Sequence, residues 1–144
     1  MAGGEPREPA PDASHDAPRG SFIVLVVDDE PLVRQWIARA LTRVGIHVVV
    51  AADGREALRL IADGAVRADV LLTDLEMPSM SGVELAARVH AFRPTMRIVM
   101  MTGDPGKAAS ARDRSTIVSA VLDKPIVVAD LIAAVRPDAE HATP

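Results

Sequence analysis

Apolar residues in this chain fall in short runs, each broken by an acidic, glycine-rich or proline-containing segment. Residues 22–27 (Phe-Ile-Val-Leu-Val-Val) end in Asp28-Asp29-Glu30. Residues 46–52, 70–73, 96–101 and 117–122 form similar runs. Continuous apolar runs of this length suit strands covered on both faces, as in a parallel sheet. Between them the period changes from continuous to helical. Val33, Trp36, Ile37, Ala40, Leu41 and Val44 recur at three- and four-residue steps, which predicts a helix with these residues toward the core. Pro31 suits its first position, where a missing N–H costs nothing, and Gly45 suits its end.

Two further helices carry their own start signals. Asp53-Gly54-Arg55-Glu56 and Ser81-Gly82-Val83-Glu84 each place an acceptor before a helix and a glutamate three residues on, the capping-box pattern. The first opens a helix with Ala57, Leu58, Leu60 and Ile61. The second opens one with Val83, Ala86 and Val89 that ends near Arg93-Pro94, since proline disfavours helix in the residue before it. Residues 107–114 are helix-permissive but weakly apolar, and Val128, Leu131, Ile132 and Val135 stripe a last helix closed by Pro137. Strand and helix alternation through five units implies right-handed crossovers and a doubly wound α/β sheet. The expected architecture is flavodoxin-like: five parallel strands in the order 2-1-3-4-5 with five helices.

Composition bounds the rest. The chain has 144 residues, 49% of them hydrophobic but 2% aromatic, so its core must be aliphatic. Residues 1–20 hold four prolines and scattered charges with almost no large apolar side chain, and are expected to be a disordered arm. Residues 21–137 form the domain, and 138–144 a frayed tail. A formal charge of −4 argues against a nucleic-acid surface. The absence of cysteine excludes disulfides and thiolate metal sites and fits a reducing compartment. No apolar run approaches the roughly 18 residues of a membrane span. The expectation is a cytoplasmic protein that engages neither membrane nor nucleic acid.

The polar residues with chemistry collect at strand ends. Asp28 and Asp29 follow strand one, Asp74 follows strand three, Thr102 strand four and Lys124 strand five. All carboxyl ends of a parallel sheet lie along one edge, and strands one and three are neighbours at the switch point. Carboxylates brought this close repel unless a cation joins them. Mg²⁺ suits an all-oxygen site that keeps room for water and a phosphate oxygen. Lys124 and the Thr102 hydroxyl then match a phosphoryl group, and Asp74 in the middle can be the nucleophile.

In these residues the chain resembles the response-regulator receiver domain, the single-domain, chemotaxis-regulator-like phospho-acceptor of two-component signalling. The resemblance covers about residues 22–136. The family's acidic pair falls on Asp28 and Asp29 in Val-Val-Asp-Asp-Glu, and its phosphorylated aspartate on Asp74 in Thr-Asp-Leu-Glu-Met-Pro. Its switch hydroxyl falls on Thr102 and its lysine on Lys124, followed by Pro125. The resemblance implies a cis bond before Pro125. It also implies metal binding by Asp29, Asp74 and the backbone carbonyl of Glu76, with Asp28 acting more often through water. It implies a histidine kinase or histidine phosphotransfer protein as donor. A downstream protein target would sit on the face of helix four, strand five and helix five. One position departs: Val121 stands where the family commonly has Tyr or Phe, so the usual aromatic readout is missing. Glu76 and Asp104 would lie near the line of water attack and tune the phosphoryl lifetime.

The residues past 137 are too few for a DNA-binding output domain in this chain. A phosphate sink without output is one alternative, and a module that never accepts phosphate another, against which the full acidic, hydroxyl and lysine set argues. A phosphatase of the haloacid-dehalogenase type also uses an aspartate nucleophile. It needs a second acid on the first strand and a cap region. Glu76 sits two residues after Asp74 but on strand three. In the receiver reading the chain catalyses only its own phosphorylation and dephosphorylation, so no separate enzyme activity is expected.

Overall fold

The computed structural model describes residues 20–114 and 116–136. The arm and tail expected from composition lie outside the described residues, apart from Gly20. The elements alternate as β1 (Ile23–Val27), α1 (Pro31–Thr42), β2 (His47–Ala51), α2 (Gly54–Ala62) and β3 (Val70–Asp74). They continue as α3 (Gly82–Phe92), β4 (Arg97–Thr102), α4 (Pro105–Arg112), β5 (Ala120–Asp123) and α5 (Val128–Val135). The sheet is parallel throughout, in the order β2-β1-β3-β4-β5. This is the expected flavodoxin-like order.

Strand pleating divides the core in two. Leu25, Leu71, Ile98 and Met100 point to the face covered by α2, α3 and α4, packing with Ala57, Ile61, Leu85 and Val89. Val24, Val26, Leu72, Val99 and Met101 point to the other face, against Ile37 and Leu41 of α1 and Leu131 and Val135 of α5. Both faces are apolar because both are covered, which is why the strands read as unbroken runs. Aliphatic and methionine side chains fill nearly all of this interior: Met96 is almost buried, and Met100 and Met101 fully so.

The caps form as the sequence predicts. Asp53 accepts from the Glu56 N–H at 2.9 Å, and the Glu56 carboxylate accepts from Ala52 N–H at 2.8 Å. The Ser81 hydroxyl accepts from Glu84 N–H at 3.1 Å, but the Glu84 carboxylate turns outward to Arg88 instead of back to the cap.

Three expectations need correction. Trp36 does not face the core; it is 43% exposed. The buried line of α1 runs through Ile37 and Leu41, and at 100° per residue Trp36 falls well off its centre. Val44 is also exposed, because α1 ends at Thr42 and Val44 lies in the following turn, which Gly45 completes at φ 85°. Finally, β5 is shorter than the apolar run 117–122. Ile117 and Val118 donate to the Arg114 carbonyl in a turn, and pairing with β4 starts only at Ala120.

Candidate functional site

Register assembles the site. Val27 pairs with Thr73, so Asp28, one residue on, comes level with Asp74. Asp74 pairs with Met101, and Thr102 pairs with Asp123, so Thr102 and Lys124 each step just beyond the same edge. Carboxylate oxygens of Asp28, Asp29 and Asp74 all lie within 4.8 Å of one another. Asp28 is fully buried, Asp74 nearly so, and Asp29 exposed. The Lys124 Nζ donates to Asp74 Oδ1 at 3.2 Å and stands 3.6 Å from Asp28 Oδ2. Lys124 therefore does not pair with Asp123 or Asp130; Asp123 instead faces Arg112 at 3.6 Å.

Local bonds fix these side chains. Asp28 Oδ1 accepts from the Glu30 N–H at 2.9 Å, and the Arg34 guanidinium donates to the Asp28 carbonyl. Its second oxygen, Oδ2, is buried with no hydrogen-bond partner among the described residues. A buried carboxylate oxygen without a donor is costly. Thr102 is buried, and its hydroxyl accepts from the Asp104 N–H at 3.1 Å. Asp104 Oδ1 in turn accepts from the Gly106 and Lys107 N–H groups, capping α4. The Lys124–Pro125 peptide bond is cis.

Electrostatics follow from burial and company. Burial pushes the Asp74 carboxyl above its ordinary value; the Lys124 ammonium opposes this, and the Asp28 charge adds to the rise. For Lys124, burial alone would lower the ammonium, but Asp28 and Asp74 together override it and the net shift is upward. Lys124 thus stays cationic between two acids.

An orphaned buried oxygen beside two further carboxylates is the donor set a hard divalent cation takes, and the residues fit Mg²⁺. The two acids assigned to tuning are engaged elsewhere. Glu76 makes an ion pair with Lys107 of α4, and Asp104 caps that helix. Sequence reasoning missed Lys107, because nothing in the residue order says that the start of α4 meets the loop after β3. It also gave Gly82 only a place in a capping box. A β-carbon there would meet the backbone of Asp74 and Leu75. Among the described residues, no helix is long and apolar enough to cross a membrane.

The chain is similar to several known proteins. The chain is 30% identical over 109 residues to the response regulator receiver protein CpdR of Brucella abortus, covering 76% of this chain and 89% of that protein. It is 31% identical over 121 residues to response regulator MprA of Mycolicibacterium vanbaalenii, spanning 52% of that protein. It is 44% identical over 78 residues to a protein-glutamate methylesterase/protein-glutamine glutaminase of Caulobacter vibrioides, spanning 22% of it. The chain thus spans about half or less of the last two. Among solved structures it resembles chemotaxis protein CheY4 of Vibrio cholerae, with a TM-score of 0.74 and 29% identity over 82% of this chain and 98% of that one. The family model for the response regulator receiver domain matches residues 24–136, and the chain belongs to that family, the receiver module of two-component systems.

Proposed function

We propose that this receiver accepts a phosphoryl group on Asp74 from a phosphohistidine of a histidine kinase or phosphotransfer protein. The observation that carries this reading is the convergence on Asp74: the Lys124 ammonium at 3.2 Å, and the Asp28 and Asp29 carboxylates clustered with its own. A carboxylate oxygen of Asp74 attacks phosphorus in line. The P–N bond breaks, its electron pair returns to the imidazole nitrogen, and that nitrogen takes up a proton. Lys124, held cationic, meets one phosphoryl oxygen. The Thr102 oxygen already accepts from Asp104 N–H, so its own proton is free to donate to another.

Asp28, Asp29, Asp74 and the backbone carbonyl of Glu76 would hold Mg²⁺, which when bound neutralises the acidic cluster and stabilises charge on the transferring oxygens. The same groups serve the receiver's own uptake and loss of the phosphoryl group; no other substrate is assigned. Leu32 and Trp36 of α1 border Ile126 and Lys124 at the rim of the site, and this exposed apolar strip supports that side as the donor's resting place. The output face is α4, β5 and α5. With Val121 in place of an aromatic ring, the readout travels through backbone. Arg112 supports this, since it ties α4 to the Val121 carbonyl at 3.3 Å. We assign the protein to the cytoplasm, where such donors present their phosphohistidine.

The test is labelling of Asp74→Asn by acetyl phosphate with Mg²⁺. An amide is no nucleophile here, so the wild type should gain one phosphoryl group by mass and the variant none. Label retained by the variant would move the acceptor elsewhere.

A further inference from the structure

A cleft of about 630 Å³ opens beside the acidic cluster, between the loop after β3 and helix α4. Asp29, Glu76, Met77 and Pro78 line one side, and Lys107, Ser110 and Arg114 the other. The Glu76–Lys107 ion pair crosses it. The Glu76 carboxylate lies two residues from Asp74, and its charge would join an anionic cluster that the metal must already neutralise. Instead it is drawn to α4. There the Lys107 ammonium pairs with it directly. Its other charged neighbour, Asp104, is occupied capping the same helix.

We infer that Lys107 is a positioning residue for phosphoryl uptake: it acts through Glu76, holding that carboxylate across the cleft and away from the mouth over Asp74. The inference rests on Asp74 being the acceptor. Without the ammonium, the Glu76 side chain swings freely at the entry path and adds a mobile negative charge there. An incoming phosphodonor is itself an anion, so its approach and in-line seating are opposed by Coulomb repulsion. Both side chains are about half exposed, 53% for Lys107 and 49% for Glu76, so solvent screens the effect and keeps it modest. The same exposure means that removing either leaves the core untouched.

The experiment measures initial rates of Asp74 labelling by acetyl phosphate with saturating Mg²⁺, followed by mass. Four variants are compared with wild type: Lys107→Ala, Lys107→Arg, Glu76→Gln and the Lys107→Ala/Glu76→Gln double. The Lys107→Ala rate should fall about two- to fivefold at low salt, the range of an exposed ion pair, and recover as salt is raised. Lys107→Arg should restore the wild-type rate. In the Glu76→Gln background the alanine substitution should have no further effect. A Lys107→Ala rate equal to wild type overturns the inference. So does a slowdown of the same size in the Glu76→Gln background, since the ammonium would then be meeting the donor directly. A wild type that takes no label at Asp74 instead removes the acceptor reading itself, a failure visible in every variant at once.

Discussion

A β-carbon placed on Gly82 would stand 2.4 Å from the carbonyl oxygen of Asp74 and 2.9 Å from the Leu75 Cα. The first turn of α3 is thus seated directly on the backbone that carries Asp74, and the Gly82 N–H donates to the Leu75 carbonyl at 2.8 Å. Backbone cannot yield as the end of a flexible side chain can. Gly82→Ala should therefore push the loop after β3 away, at about 1–3 kcal/mol of stability as for other overpacked sites. Urea unfolding of the variant measures this. An unchanged midpoint would mean that the helix start shifts without strain.

The burial of Asp74 makes a pH prediction. Its folded-state pKa is raised from the ordinary 3.8, so the folded state holds its proton more tightly than the unfolded chain. The associated stability is fully present below that ordinary value and is lost as pH rises through the folded pKa. Asp74→Asn lacks this loss. Its melting temperature should exceed that of wild type at neutral pH, with the gap closing as pH falls toward about 4. A gap independent of pH would mean that the ionised Asp74 carboxylate costs the fold nothing.

Mg²⁺ should stabilise the folded chain, because the three clustered carboxylates exist as a site only there. One site saturated at a hundred times its dissociation constant contributes about 2.7 kcal/mol. Thermal melts with and without the ion should show the shift, and Asp29→Asn should shrink it. Equal shifts in wild type and variant would remove Asp29 from the ligand set.

Thr102 joins the site to α4. Thr102→Val keeps the shape but deletes the oxygen that accepts from Asp104 N–H. The donor loses its partner beside a helix start, at a cost of about 1–3 kcal/mol. Amide exchange at Asp104, Gly106 and Lys107 should quicken in the variant, while Thr102→Ser should match wild type. Unchanged exchange in Thr102→Val would show that the hydroxyl does not anchor the cap.

Much of this protein was readable in its residue order. Runs such as 22–27 are apolar on both strand faces, and that pattern is forced by a sheet covered twice, so it reports a parallel α/β fold before any coordinate does. The acids, hydroxyl and lysine stand directly after such runs, and a parallel sheet leaves strand ends only one edge on which to meet. Boundaries were less legible. The apolar residues Ile117 and Val118 serve a turn rather than a strand, because burial rather than pairing dictates their type. Trp36 matched a helical step but missed the buried line by its angle around α1.

What the chain order could not decide is which side chains cross between elements. Lys107 and Glu76 are 31 residues apart and meet only because α4 docks over the loop after β3. Arg112 reaches the Val121 carbonyl because α4 also packs against β5. Local sequence sets what each segment forms, through short-range sterics and hydrogen bonding. Which charge neutralises which depends on distances between segments, and those exist only once the layers have packed.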